Sequence, residues 1–221
     1  QATGLCGSFG SALDATDGAN ELAAADAALA AFSSLAPTYT ILGNHDTYPN
    51  ESPLGAFHGA HLPVHDTGLN STLTIGGVRF VLLSASHDAA FVDGQDTYLQ
   101  AALEALDGSQ ECVLCVHQPS GGRAYDWHAM QTLHTVVPTD LPNPLWWVCG
   151  HDHRFGDSAI SVNGATVAKW QIGTASGPWQ SSSDGTHPAM AAMACRGGAV
   201  VGRFAWGGRE QFWHHIPTAN R

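Results

Sequence analysis

Three short apolar segments of this chain each run directly into a polar cluster, and this arrangement constrains the fold more than any other feature. Residues 39–42 lead into Gly-Asn-His-Asp at 43–46, residues 113–116 lead into His117, and residues 146–149 lead into Gly-His-Asp-His at 150–153. Each run has strand length and is rich in β-branched or aromatic residues. Since the carboxyl ends of strands meet at the ligand crevice of open α/β sheets, the three clusters are predicted to converge.

The pattern between these segments predicts a layered α/β fold in one domain, residues 1–221. A helix is expected from Asn20 to the residues before Pro37, with Leu35 on its apolar side, and a second helix over 97–106. Hairpin turns are predicted at Gly-Gly 76–77, Asn-Gly 163–164 and Gly-Gly 207–208. The order of elements favours a partly parallel sheet to which antiparallel strands are added later.

Composition excludes several classes of protein. Hydrophobic residues make up 44% and charged residues 12%, which favours a packed globular chain over disorder. The net charge of −11 excludes nucleic-acid binding through a basic face, since phosphate contacts need clustered Lys or Arg. No apolar run reaches the length of a membrane span. Asn-x-Ser/Thr triplets at Asn50 and Asn70 slightly favour a secreted glycoprotein over a cytoplasmic location.

The polar clusters have the chemistry of a metal site. Imidazoles and an amide oxygen suit Zn, Fe or Mn better than Ca or Mg, which prefer all-oxygen sites. The order of the clusters resembles the signature of the calcineurin-like metallophosphoesterases, which include purple acid phosphatases and many phosphodiesterases. That signature runs Asp-x-His, Gly-Asp, Gly-Asn-His-Asp/Glu, a lone His and Gly-His-x-His. Its last three blocks are present at 43–46, 117 and 150–153.

The resemblance implies a fold and a reaction. The fold is an αββα sandwich of two mixed sheets. The reaction is hydrolysis of phosphate mono- or diesters by a metal-bound hydroxide, so the implied substrate is a small phosphate ester or a phosphorylated molecule. By position, Asn44, His117 and His151 are implied as ligands of the second metal and His153 as a ligand of the first.

The resemblance also implies two catalytic residues beside the metals. His45 would bind the substrate phosphate and protonate the leaving group, and Asp46 would orient it.

The beginning of the chain departs from the signature. Ser8 occupies the place of the aspartate that bridges the two metals, and no Asp-x-His precedes it. A serine hydroxyl is neutral and does not normally bridge two divalent ions, so one tightly bound metal is expected rather than two. The domain is expected to be incomplete at its amino terminus and to lack its first strand. Either upstream residues or a protein partner would then cover the gap.

Two functional classes therefore stay open. The first is an active but impaired phosphoesterase, favoured by the intact histidines and Asn44. The second is a catalytically degenerate relative, a pseudoenzyme that serves as a structural or binding subunit, favoured by Ser8 and the absent Asp-x-His.

The five cysteines give no disulfide framework. Cys112 and Cys115 are three residues apart on a predicted strand, so their side chains should lie on opposite faces and act as core thiols, not as a shared metal site. Three thiols each precede a position of the metal signature by two residues and are expected to be buried and unpaired: Cys6, Cys115 and Cys149.

Overall fold

A computed structural model gives the fold of the chain. The structure describes residues 70–83, 95–117, 145–150, 156–171, 189–207 and 210–215, together with isolated positions between 27 and 41. Within these residues the elements are β1 (Asn70–Ile75), β2 (Val78–Leu83), α1 (Gln95–Glu104), β3 (Cys112–Val116), β4 (Leu145–Cys149), β5 (Gly156–Val162), β6 (Ala165–Gln171), β7 (Ala189–Arg196), β8 (Ala199–Gly207) and β9 (Glu210–His215).

A six-stranded mixed sheet forms the centre of the described structure, with strand order β1-β2-β3-β4-β6-β5. Strands β2, β3, β4 and β6 are parallel, and β1 and β5 pair antiparallel at the two edges. The predicted combination of a parallel core with antiparallel additions is confirmed. The central strand β3, Cys-Val-Leu-Cys-Val, is apolar at every position because both faces of the sheet are covered.

The dipeptides Gly76-Gly77 and Asn163-Gly164 form tight turns between antiparallel strands, as predicted. Gly76 and Gly77 have φ values of 59° and 86°, and Asn163 and Gly164 have values of 50° and 83°. Positive φ at both central residues is the type I′ geometry, whose twist matches that of the flanking strands. The third predicted hairpin joins β8 and β9, and Gly207, expected in the turn, pairs with Glu210 as the last residue of β8.

Helix α1 covers one face of the large sheet. It begins two residues before the predicted range 97–106 and ends at Glu104. Leu99 and Leu103 are buried against the sheet, and full burial of a leucine side chain contributes roughly 1.5 to 3 kcal/mol. The helix-side core comprises Val81, Leu83, Leu99, Ala102, Leu103, Cys112, Leu114, Val116, Leu145, Trp147, Cys149, Val162 and Val167.

A three-stranded antiparallel sheet, β7-β8-β9, covers the other face. The sheet-side core comprises Val78, Val113, Trp146 and Val200, with Phe80, Cys115, Val148, Ala168, Met193 and Cys195 packed against it. The guanidinium of Arg203 lies 5.6 Å from the ring centroid of Trp146 and 5.7 Å from that of Trp170, at cation–π distance. The layers are therefore helix, mixed sheet and antiparallel sheet, which confirms the α/β class.

Two predictions in the first part of the chain were wrong. Leu35 was expected on the buried side of a helix, but it lies in a turn after helical residues such as Ala31 and Ser33 and is 84% exposed. Residues 39–42 were expected to form a strand, but Tyr39 and Ile41 have no strand assignment. Leu35 comes after the last described helical residue, Ser33, so it does not lie on a helix face.

Every helix in the described part of the chain is too short or too polar to cross a membrane.

Candidate functional site

Buried polar side chains are concentrated at one edge of the large sheet. The carboxyl edge is defined here by the last residues of β2, β3, β4 and β6 and the residues that follow them. Buried polar or charged side chains among the described residues are Asn70, Ser71, Gln95, Glu111, His117 and Gln171, and all except Glu111 lie at the carboxyl edge or beside it. Because burial of polar groups costs free energy unless they are hydrogen-bonded, such a concentration usually marks a functional site or a specific network.

His117 follows β3 directly and is only 6% exposed. Its carbonyl oxygen accepts a hydrogen bond of 2.9 Å from the backbone N–H of Gly150, which follows β4. The parallel register of β3 and β4 places these two residues side by side. The prediction that the apolar runs before His117 and before Gly150 are strands ending at the same edge is thus confirmed, and the structure shows that they are neighbours.

The end of β6 adds a third polar residue. Gln171 is 5% exposed, and its Nε2 donates a hydrogen bond of 3.3 Å to the carbonyl oxygen of Gly150. Gly150 is therefore held on both sides, through its N–H by His117 and through its carbonyl by Gln171. The residue after Gly150 in the chain is His151, one of the predicted metal ligands.

On the side of the carboxyl edge formed by β1, away from Gln171, two buried amide side chains form a pair. Gln95, at the start of α1, donates a hydrogen bond from Nε2 to Oδ1 of Asn70, at the start of β1. Both side chains are buried, and Ser71 beside them is buried as well. The predicted glycosylation triplet at Asn70 is therefore inaccessible in the folded chain, because its amide is covered and hydrogen-bonded. Asn50 lies outside the described residues.

The described cysteines form no disulfide with one another: Cys112, Cys115, Cys149 and Cys195. Cys149 is buried, as predicted, and Cys115 is half-buried; Cys6 lies outside the described residues. Burial raises the pKa of Cys112 and of Cys115 to about 12, so both thiols are protonated and unreactive at neutral pH.

The thiols two residues before His117 and His151 were expected on the same face of the sheet as those histidines, but Cys115 and Cys149 lie on opposite faces. Cys112 packs in the helix-side core and Cys115 against the sheet-side core, so the predicted opposite faces are confirmed. Cys149 packs in the helix-side core, opposite to Cys115. Strand alternation alone would therefore direct positions 117 and 151 to opposite faces of the sheet. Strands β3 and β4 end before these positions, so the alternation does not extend to them.

Most of the predicted site residues lie outside the described residues: Ser8, Asn44, His45, Asp46, His151 and His153. Of the predicted ligands, His117 is described. No group of three or more His, Cys, Asp or Glu side chains able to hold a metal occurs within the described ranges. The clustering of Asn44, His117, His151 and His153 stays a prediction.

A family model for calcineurin-like phosphoesterases matches residues 14–155 of the chain. This range is more than half of the sequence. The chain belongs to the calcineurin-like phosphoesterase family. No curated protein matches the chain significantly.

The matched range shows which parts of the chain carry the family pattern. It includes the clusters at 43–46 and 150–153 and His117, and it begins at Asp14, after Ser8. It ends at residue 155, one residue before β5, so β5 to β9 lie outside it. The family generally binds divalent metals, and a buried imidazole at the carboxyl edge of its sheet is a suitable nitrogen ligand for such an ion.

Reasoning from the sequence missed the other buried polar residues of the carboxyl edge. Gln171 was predicted only as part of a strand, and Asn70 only as a glycosylation site. A usable signal was present for Gln171, a polar residue that ends β6 two residues before the glycine at 173. Asn70 and Gln95 are 25 residues apart, and their pairing depends on how α1 packs on β1.

Proposed function

We propose that this protein is a metal-dependent phosphoesterase that hydrolyses phosphate mono- or diesters at the carboxyl edge of its mixed sheet. The observation that carries the proposal is the buried His117, which is hydrogen-bonded through its carbonyl to the residue directly before His151. Membership of the calcineurin-like phosphoesterase family supports phosphate esters as the substrate class.

The proposed metal ligands are Asn44, His117 and His151, with His153 at the edge of the site. His117 fits this role because it is buried among strand ends and its imidazole nitrogen is a preferred ligand of Zn, Fe and Mn. A metal ion held there would supply Lewis acidity toward a phosphoryl oxygen.

His45 and Asp46 are proposed to act on the substrate. His45 would hold a phosphoryl oxygen by a hydrogen bond and donate a proton to the leaving oxygen, which needs the imidazole within hydrogen-bonding reach of that atom. Asp46 would orient the ring and favour its protonated form, because a neighbouring carboxylate stabilises the imidazolium. The complete architecture proposed around these residues is the four-layered αββα sandwich of the family.

We propose one tightly bound metal in preference to two. Ser8 stands where the family carries a bridging aspartate, and a neutral hydroxyl does not replace a carboxylate between two cations. His153 is the proposed protein ligand of the first metal, whereas stable sites usually have three or four ligands. A single ion cannot clamp both the attacking and the leaving oxygen, so turnover should be much weaker than with two metals.

The second candidate function is a degenerate relative that binds a partner or supports a larger structure without turnover. Ser8 is the observation that favours it. The two functions differ in a measurable way, because a subunit without catalysis needs no metal at His117.

Metal analysis of purified protein beside a turnover assay on an aryl phosphate tests the proposal. We expect about one Zn, Fe or Mn per chain and slow hydrolysis, with both lost in His117→Ala because a three-ligand site loses one imidazole. His214→Ala, on β9 in the other sheet, is the matched control and should retain both. Wild-type protein that binds no metal would overturn the proposal. Two fully occupied metals with rapid turnover would show that the inference from Ser8 is wrong.

A further inference from the structure

Gln171 lies in the strand between the two strands that a short segment, residues 151–155, connects. Residues 151–155 connect β4 and Gly150 to β5, which begins at Gly156, and this segment contains His151 and His153. In the sheet, β6 lies between β4 and β5. The last residue of β6 is Gln171.

The backbone of Gln171 pairs with both neighbouring strands at this level. It pairs with Cys149 in the parallel ladder on one side and with Gly156 in the antiparallel ladder on the other. Because neighbouring strands lie about 4.8 Å apart, the two ends of the segment are separated by roughly 10 Å across β6. The distance between the two ends of the histidine-containing segment is therefore fixed by the pairing of both neighbouring strands with Gln171.

The side chain of Gln171 adds a third contact at the same place. Its buried Nε2 donates to the carbonyl oxygen of Gly150, at 3.3 Å. That carbonyl lies in the planar peptide unit that also contains the backbone nitrogen and Cα of the next residue, His151. Fixing the carbonyl thus restricts the direction in which the chain leaves β4.

We infer that Gln171 is a positioning residue for the metal ligands in the segment 151–155, an inference that rests on the proposed function. It touches no metal or substrate itself. It orients the Gly150–His151 peptide and fixes the separation of the segment's ends, which would allow His151 to share a metal with His117. Residues that hold a metal ligand in its binding orientation raise metal affinity without contacting the metal, because a ligand that is not held in this orientation binds more weakly.

The test compares Gln171→Met with Gln95→Met. Both replace a buried glutamine with an apolar side chain of similar length, and both remove one amide donor, but Gln95 donates to Asn70 and not to Gly150. Zn²⁺ alone is titrated calorimetrically into the metal-free full chain, and thermal unfolding is measured on the same samples. We expect Gln171→Met to bind Zn²⁺ roughly 10- to 100-fold more weakly than wild type. Gln95→Met should lose a similar amount of thermal stability and keep the wild-type Zn²⁺ affinity.

Other outcomes separate this inference from the proposed function. Gln171→Met with wild-type Zn²⁺ affinity would overturn the inference alone. Equal weakening in both variants would also overturn it, since the effect would then follow general destabilisation. Wild-type protein that does not bind Zn²⁺ would overturn the proposed function and the inference with it. If Gln171→Met does not fold, Gln171→Asn keeps a polar amide that is one methylene too short to reach Gly150, and the same loss of affinity is expected.

Discussion

The two edges of the large sheet lie at opposite ends of its parallel strands, and their buried polar groups have different roles. At the amino edge, where β3 and β4 begin, the buried polar group is Glu111, and its hydrogen bonds are made within the protein. At the carboxyl edge, buried amides and His117 surround the points where the chain leaves toward the predicted metal ligands. The amino edge thus joins the sheets to each other, and the carboxyl edge is where a ligand is expected.

Glu111 is the centre of the amino edge. Its Oε2 accepts hydrogen bonds from Trp146 Nε1 at 2.9 Å and from the backbone N–H of Val200 at 3.0 Å, one from each sheet. Its backbone N–H donates to Gly198 at 2.7 Å, and its carbonyl accepts from Arg79 at 3.0 Å. A buried carboxyl group in this fold is therefore not by itself a sign of catalysis. Glu111 is as buried as His117, yet its side chain joins the two sheets.

The largest expected effect comes from breaking the amino edge. Glu111→Ala leaves two buried N–H donors without an acceptor, which should lower the free energy of unfolding by roughly 2 to 5 kcal/mol. Glu104→Ala, on the exposed side of α1, should change it by less than about 0.5 kcal/mol. Denaturant titration of both variants gives the comparison. A loss below about 1 kcal/mol for Glu111→Ala would mean that the carboxylate does not hold the two sheets together.

A second test concerns the contact between two turns at the same edge. Gly76 and Gly197 have nearly equal φ values of 59° and 61°, but a Cβ on Gly76 would lie 2.3 Å from the carbonyl oxygen of Cys195, whereas one on Gly197 would meet nothing within 4 Å. Gly197→Ala should therefore cost about 1 kcal/mol for the left-handed backbone alone. Gly76→Ala should cost a further 1 to 3 kcal/mol, approximately, for overpacking. Equal losses in the two variants would show that the turns do not interlock in solution.

A third expected effect is a pH dependence from the core thiols. Cys112 has a pKa near 12 in the folded chain against an ordinary value of 9.0, because burial disfavours the thiolate. The folded state therefore holds a proton that the unfolded state releases, and stability should fall as the pH rises from about 9 toward 12. The slope reaches at most about 1.4 kcal/mol per pH unit for this thiol. Cys112→Ala should fall less steeply than wild type over this range in denaturant titrations, and an unchanged slope would contradict the assignment.

The parts of the fold that could be predicted from the sequence are those determined by residues close together in the chain. Dipeptides such as Gly76-Gly77 and Asn163-Gly164 specify type I′ turns through their own backbone preferences, and the apolar runs of β3 and β4 are long enough to identify as buried strands. Strand β7 was missed because its run of alanine and methionine favours a helix by intrinsic propensity. Its strand state depends on pairing with β8, although the Gly197-Gly198 turn was a local signal for it.

The candidate site was predictable to the extent that its residues follow strands. The positions of His117 and Gly150 at strand ends could be predicted, because an apolar strand and the glycine or histidine after it are contiguous in sequence. The contacts of Gln171 could not, since its amide reaches Gly150 across 21 residues of sequence through a register that exists only in the folded sheet.

The central claim is that the carboxyl edge holds one transition metal at His117. Anomalous diffraction at the zinc absorption edge, from crystals of the full chain grown with Zn²⁺, tests it most directly. The account predicts one strong peak about 2 Å from an imidazole nitrogen of His117, with Asn44 and His151 completing the site. A strongest peak more than about 10 Å from His117 would contradict it, because metal–nitrogen bonds do not exceed a small fraction of that distance.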